Sequence, residues 1–195
     1  MTALPTTLFT ALASLYYSPE ILALIRSQIA PGQALALLDV PCGTGTLTDI
    51  CLPCAYIGID IDPVRVEAAK AARGTVGEFR VGDAADLDFP DNSLDRILAA
   101  GLFHHVDDET ARRIFAEFAR TLKPQGHLVV FEAIWPRNRL NIFGIIMRRL
   151  DEGKHVRVPE AYQALFTRHF DTRFTAYPSR LGLDYLLQTL VSKKA

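Results

Sequence analysis

Asp39, Asp60 and Asp83 each close a short apolar run, and the first of them leads into Pro41-Cys42-Gly43-Thr44-Gly45. Leu37 to Gly45 thus reads as a buried strand that ends in an acid and turns through a glycine loop, with a helix predicted over 45–51. Small glycines let the chain turn sharply and let a ligand touch main-chain atoms, and a helix start presents unpaired N–H groups. The chemistry on offer is the holding of a small, polar, nucleoside-containing ligand against bare backbone. The second run, Tyr56 to Pro63, carries Asp60 at its end, and an acid at such a strand tip can accept hydrogen bonds from both hydroxyls of a ribose.

Each of these residues has a plainer reading. Gly43 and Gly45 could form an ordinary strand-to-helix turn, Asp60 could be a solvated strand end, and Asp83 could cap a turn. Asp62 reads as a helix N-cap because Pro63 follows at the first helical position. What turn chemistry alone does not explain is the joint pattern, three acids at three successive strand ends. A nicotinamide fingerprint would place a third glycine where this chain has Thr48, so a dinucleotide oxidoreductase is the weaker reading.

The elements that must position these groups follow from periodicity. Strands are predicted at 35–40, 55–60, 78–82, 94–100 and 127–133, and helices at 45–51, 63–73 and 108–122. The last helix has Asp107 as its cap and Ile114, Phe115, Phe118 and Leu122 as its buried stripe. Leu8, Leu12, Leu15 and Tyr16 repeat at helical spacing, and Ser18-Pro19 opens a second helix that Pro31-Gly32 stops. Strands alternating with helices imply an α/β protein with a doubly wound, mostly parallel sheet and helices on both faces. Ligands bind such sheets at the carboxyl ends of the strands, where the three acids fall.

Taken with Leu94 to Leu98 and Leu122 to Leu128, these motifs in this order resemble the class I S-adenosylmethionine-dependent methyltransferases, nearest to the small-molecule branch that includes quinone-ring methyltransferases. The resemblance covers about Leu35 to Ala133. It implies S-adenosylmethionine as cofactor, S-adenosylhomocysteine as product, and a seven-stranded sheet whose last two strands, in 171–195, form a hairpin with one strand antiparallel. It implies that Asp39 organises the glycine loop and faces the methionine ammonium, that Gly43 and Gly45 pass beside methionine and ribose, and that Asp60, with Ile61 beside it, holds the ribose. It implies that Asp83 accepts from the adenine amino group with the Ala84 N–H beside the ring. Ala100 and Gly101 would wall the methionine part, and Leu102 to Val106 would line the reaction chamber. The family has a further glycine where this chain has Pro41; proline fixes φ and lacks an N–H, so an altered turn within the cofactor site is expected.

Methyl transfer from a sulfonium is an in-line displacement with the leaving group already activated, and alignment alone can supply about 7–11 kcal/mol. No nucleophile motif is therefore required. A general base would help a hydroxyl or acidic carbon acceptor by about 10²–10⁴-fold. His104 and His105, after the fourth strand, are the candidates, the alternative being a pair that shapes the loop. The absence of an Asn-Pro-Pro-Tyr-type motif after that strand favours O- or C-methylation.

At 195 residues with 49% hydrophobic composition the chain reads as one domain: N-terminal helices in 1–33, a cofactor core in 34–135, a substrate cap in 136–170 and the hairpin. The net charge of −1 argues against nucleic-acid partners, no run is long enough to span a membrane, and no signal peptide is evident, so the cytoplasm is the expected compartment. Cys42 reads as packing, and Cys51-x-x-Cys54, with Pro53 inside and no second pair, predicts no metal site. Residues 136–173 carry eight Arg or Lys against four Asp or Glu, a net +4 that leaves −5 on the rest. Around the apolar run Ile142 to Met147 this is either a solvated basic face on a core helix or a cap suited to a lipophilic or anionic acceptor. A small-molecule methyl acceptor is the partner expected, and a catalytically silent module that binds S-adenosylmethionine or its product is the main alternative.

Overall fold

The computed structural model describes residues 17–151 and 153–194. The first predicted helix, through Leu8, Leu12, Leu15 and Tyr16, lies outside the described residues. Chain order from there is α1 (Pro19–Ile29), β1 (Ala36–Asp39), α2 (Thr48–Cys51), β2 (Ala55–Asp60), α3 (Pro63–Arg73), β3 (Glu78–Val81) and β4 (Leu94–Ala100). A 3-10 turn (Phe103–His105) leads to α4 (Asp108–Thr121), β5 (Leu122–Ala133), α5 (Ile142–Arg149), α6 (Pro159–Phe166), β6 (Phe170–Ala176), β7 (Ser179–Arg180) and β8 (Leu183–Ser192).

The helix starts obey their caps. Ser18 Oγ accepts from Ile21 N at 3.3 Å, Asp62 Oδ1 from Val64 N at 2.8 Å and Asp107 Oδ1 from Thr110 N at 2.8 Å, each relieving an orphan donor of the first turn. One expectation fails: α2 begins at Thr48 and is a single turn, so it presents no extended helix start to a ligand. The cause is local, since Gly43 and Gly45 adopt φ of +54° and +79°, which cannot belong to a right-handed helix. The Val40–Pro41 peptide bond is cis. β5 also begins earlier than predicted, pairing Leu122 with Leu94 before an irregularity that holds Gln125 at φ +65°.

Seven strands lie side by side in the order β3-β2-β1-β4-β5-β8-β6, with β7 pairing only to β8. β3 to β5 run parallel, and β8 is antiparallel to both β5 and β6. This is the doubly wound sheet with an antiparallel C-terminal strand expected. Period-two alternation sends neighbours to opposite faces. Leu38, Ile97, Leu128 and Val130 face one core with α4 and α6, while Leu37, Leu98, Val129 and Phe131 face the other with α1, α2 and α3.

Backbones approach closely where β2 passes under the glycine loop. A Cβ on Gly58 would stand 2.7 Å from Phe79 Cδ1 and 2.9 Å from Cys42 Cβ. Gly58→Ala is expected to lower unfolding stability by about 1–3 kcal/mol through overpacking. Gly32→Ala, whose Cβ would meet only Leu35 at 3.4 Å, should stay within about 0.5 kcal/mol; urea unfolding of both variants reads the contrast.

Candidate active site

The parallel sheet delivers Asp39 and Asp60 to the same edge because β1 and β2 are adjacent, with Asp39 level with Gly58. Both carboxylates are buried, at 1% and 3% exposure. One expected role falls on the other acid. Asp60 organises the loop: its Oδ2 accepts from Gly43 N at 2.9 Å and its Oδ1 from Asp62 N at 2.9 Å. Asp39 accepts from the Tyr56 hydroxyl through Oδ2 at 2.7 Å, and its buried Oδ1 has no partner among the described residues. Burial foremost, partly relieved by the Tyr56 bond and reinforced by the Asp60 charge, pushes the Asp39 carboxyl up to about 7. An orphaned, buried acid oxygen calls for a cationic donor, and the methionine ammonium of S-adenosylmethionine has that character.

The other residues named from sequence gather around this pair. Pro41 and Cys42 continue the rim, with Cys42 N donating to Ile59 O at 2.8 Å. Gly45 packs between α2 and α3, where a Cβ would meet Thr48 at 3.3 Å and Arg73 at 3.2 Å. Ile61, just beyond Asp60, is 70% exposed, while Ala84 is buried. Asp83 is exposed and caps its own turn, Oδ1 accepting from Ala85 N at 2.8 Å. Ala100 is buried at the end of β4, and Gly101, at φ +71°, donates its N–H to Phe131 O at 2.9 Å. All three cysteines are free and buried in the core beneath the loop.

The turn after β4 departs from expectation. Phe103 does not line a chamber: it is fully buried and stacks on Phe115 with centroids 4.3 Å apart. The residue that holds this turn is Glu132, which the sequence reading missed. Glu132 is wholly buried near the end of β5; its Oε1 accepts from the N–H groups of Leu102 and Phe103, both at 2.6 Å, and its Oε2 meets His104 Nδ1 at 2.8 Å. The signal available was a lone acid in an otherwise apolar strand, Val129-Val130-Phe131-Glu132-Ala133.

His104 is therefore clamped. Burial disfavours its charged form, but the Glu132 charge and hydrogen bond, aided by Asp151 at 3.9 Å from Nε2, outweigh that and raise its pKa. His105, with its ring 4.0 Å from that of His104, is the accessible one. Crowding and then the His104 charge push it down to about 4, which leaves it neutral at neutral pH.

A strap from the segment after β5 closes over this turn. His155 N donates to His104 O at 2.9 Å, and the buried Arg157 donates to Phe103 O at 2.5 Å, Val106 O at 2.8 Å and Asp108 Oδ1 at 2.9 Å. Gly153 passes so close that a Cβ would stand 2.2 Å from His104 Cδ2. Tyr17, against Phe131 at 5.6 Å, completes the surroundings; burial first, then Asp39 and Glu132, raise its pKa and keep the phenol protonated. A cavity of about 510 Å³ lined by Gln125, Asp171 and Lys194 lies at the other end of the sheet, away from these groups.

Strand order, glycine loop and buried tip acids define a Rossmann-like α/β ligand-binding protein. Residues 38–130 match the model of a family described as a methyltransferase domain. A demethylmenaquinone methyltransferase of Symbiobacterium thermophilum is 32% identical over 133 residues, 63% of this chain and 51% of the relative. Nocamycin O-methyltransferase of Saccharothrix syringae is 36% identical over 115 residues, 51% of this chain and 38% of the relative. A solved geranyl diphosphate methyltransferase in complex with GPP and sinefungin shares the fold, with a TM-score of 0.74 at 16% identity over 87% of this chain and 76% of that one. The chain spans about half, or less, of the length of these curated relatives. Over residues 38–130 the chain is thus similar to methyltransferase domains, and its relatives are named for methyl transfer.

The folded chain holds the Asp39 proton more tightly than the unfolded chain, which releases it near 3.8, so Asp39 costs the fold progressively more as pH rises from 3.8 to about 7. Asp39→Asn is expected to gain stability relative to wild type across that window, at up to about 1.4 kcal/mol per pH unit, and to hold a constant difference above it. Urea midpoints measured across that range check the slope.

Proposed function

We propose that this chain transfers a methyl group from S-adenosylmethionine to the oxygen or carbon of a small, lipophilic or anionic acceptor. The observation that carries the donor half is the Asp39 oxygen, without a partner among the described residues and buried beside the Asp60-pinned glycine loop. Asp39 would take the ammonium. Asp60 already holds two backbone N–H groups and, as a carboxylate with about four acceptor sites, has capacity left for ribose hydroxyls. Asp83 and the Ala84 N–H would receive the adenine edge, with Ile61 offering an exposed apolar surface beside it. Bound there, the sulfonium supplies an activated methyl group.

The chain's own contribution to the chemistry is alignment and exclusion of water. Glu132 fixes the turn after β4 by gripping two N–H groups and His104, so the wall beside the donor is rigid. His104 is engaged on its Nδ1 and faces acids on both sides, which suits a positioning role rather than proton abstraction. His105, neutral and accessible, is the residue placed to take a proton from an acceptor hydroxyl. The acceptor class draws support from the basic, apolar segment after β5 and from relatives named for demethylmenaquinone and nocamycin.

Titration calorimetry with S-adenosylmethionine is expected to show saturable binding that Asp60→Ala and the exposed Asp83→Ala each weaken at least about tenfold. His105→Ala should leave that binding intact and lower turnover of a hydroxyl acceptor by about 10²-fold or more. Unchanged binding in both acid variants refutes the donor site, and unchanged turnover in the histidine variant refutes the base. Donor binding without turnover on any acceptor would identify a silent binding module instead.

A further inference from the structure

Helix α5 is inside out. Its buried residues are Gly144 and Arg148, with Met147 packed part-buried against the core, whereas Ile142, Phe143 and Ile146 are 67%, 57% and 51% exposed. The flanking Leu140 and Leu150 are 85% and 72% exposed. The inward arrangement is specific. A Cβ on Gly144 would stand 2.7 Å from Gly182 O, so the helix lies hard against the turn before β8. The Arg148 guanidinium donates to Ile134 O at 3.1 Å and Asp184 O at 2.7 Å, and stacks over Tyr185 at 4.9 Å. The body therefore takes the helix by Gly144, Arg148 and Met147 and leaves Ile142, Phe143 and Ile146 outward, which departs from a core helix whose apolar run is buried and whose basic residues are solvated.

The stripe does not end with the helix. Phe143 lies against Gly182, Asn141 Nδ2 donates to Gly182 O at 2.7 Å, and the Arg137 guanidinium stacks on Tyr177 at 4.2 Å. Leu181, 60% exposed at φ +51°, and Tyr177 thus join one rim with α5. Pro136 to Leu150 contains four arginines and no acid, while the chain outside 136–173 carries −5. Arg137, Arg139 and Arg149 are exposed on this rim. Large apolar side chains held outward among arginines form the pattern of an element that lies in a bilayer interface, with the rings and aliphatic chains entering the acyl boundary and the guanidinium groups on anionic headgroups. Among the described residues no helix is long and apolar enough to cross a membrane, so this contact would be peripheral.

We propose that the rim formed by α5 and the 177–182 turn docks on the surface of an anionic lipid bilayer. The rim stands at the end of the sheet where β5 finishes and β8 begins, Ala133 pairing with Tyr185, the same end at which Asp39 and Asp60 stand. Docking there brings the donor end of the sheet to the lipid, so that an acceptor dissolved in the bilayer need not cross water; this last step rests on the methyl-transfer reading above, whereas the docking itself does not.

The test is co-sedimentation of the full chain with vesicles of phosphatidylcholine containing phosphatidylglycerol, against vesicles of phosphatidylcholine alone. Binding is expected to the anionic vesicles, to weaken as salt screens the arginines, and to fall at least about tenfold in Arg139→Glu/Arg149→Glu, given about fivefold for each basic residue lost near the surface. Leu140→Ser/Ile146→Ser should lower it comparably at fixed salt, and circular dichroism should find both double variants folded. Absence of binding, equal binding to neutral vesicles, or indifference to both double variants overturns the proposal. A concentration-dependent dimer dissolved by the same variants also overturns it, since the rim would then be an interface between copies. S-adenosylmethionine titration of the same preparations separates the two readings: no donor binding refutes the methyl-transfer reading and leaves the vesicle result standing.

Discussion

Burying a carboxylate without a full set of partners is among the more costly things a fold can do, and this one does it with two adjacent acids at neighbouring strand tips. Asp60 offsets the cost by gripping the backbone of the glycine loop. Among the described residues Asp39 has a tyrosine hydroxyl on one oxygen and a neighbouring negative charge, and it meets that cost by holding a proton to an unusually high pH. Nothing in the packing of the sheet requires Asp39 to be an acid. On the proposed reading it receives a positive charge that the described residues do not provide, and the position of Tyr56 and the close approach at Gly58 would keep that receiver in place.

A second buried acid organises the other half of the site. Glu132 ties β5 to the turn after β4, and the strap through His155 and Arg157 ties that same turn to the segment that follows β5. The turn after β4 and the segment that follows β5 are thereby tied together.

Much of this was legible in the residues themselves. The alternation of β1, β2, β4 and β5 and the caps at Ser18, Asp62 and Asp107 follow from local patterns that tertiary structure did not override, whereas the antiparallel tail was implied only by the family resemblance. The positions of Asp39, Asp60 and Asp83 at the strand ends were also readable, because a strand that alternates or runs apolar and then stops on an acid announces its own edge. The division of labour between Asp39 and Asp60 was not, since it depends on which carboxylate the loop at Gly43 folds back upon. Glu132 was hidden for a related reason: a lone acid inside an apolar strand gives no indication of whether it meets solvent or three donors brought from another strand's turn. The inverted α5 escaped because its apolar residues look the same whether they face a core or the outside, and only the burial of Arg148 decides.

The most direct test of the account is the proton count on donor binding. Calorimetry of S-adenosylmethionine binding, run one pH unit below the Asp39 pKa of about 7 in two buffers of different ionisation enthalpy, reads the protons exchanged. If Asp39 receives the ammonium, wild type releases close to one proton and Asp39→Asn close to none. Equal proton release by the two proteins, or none from wild type, would contradict it.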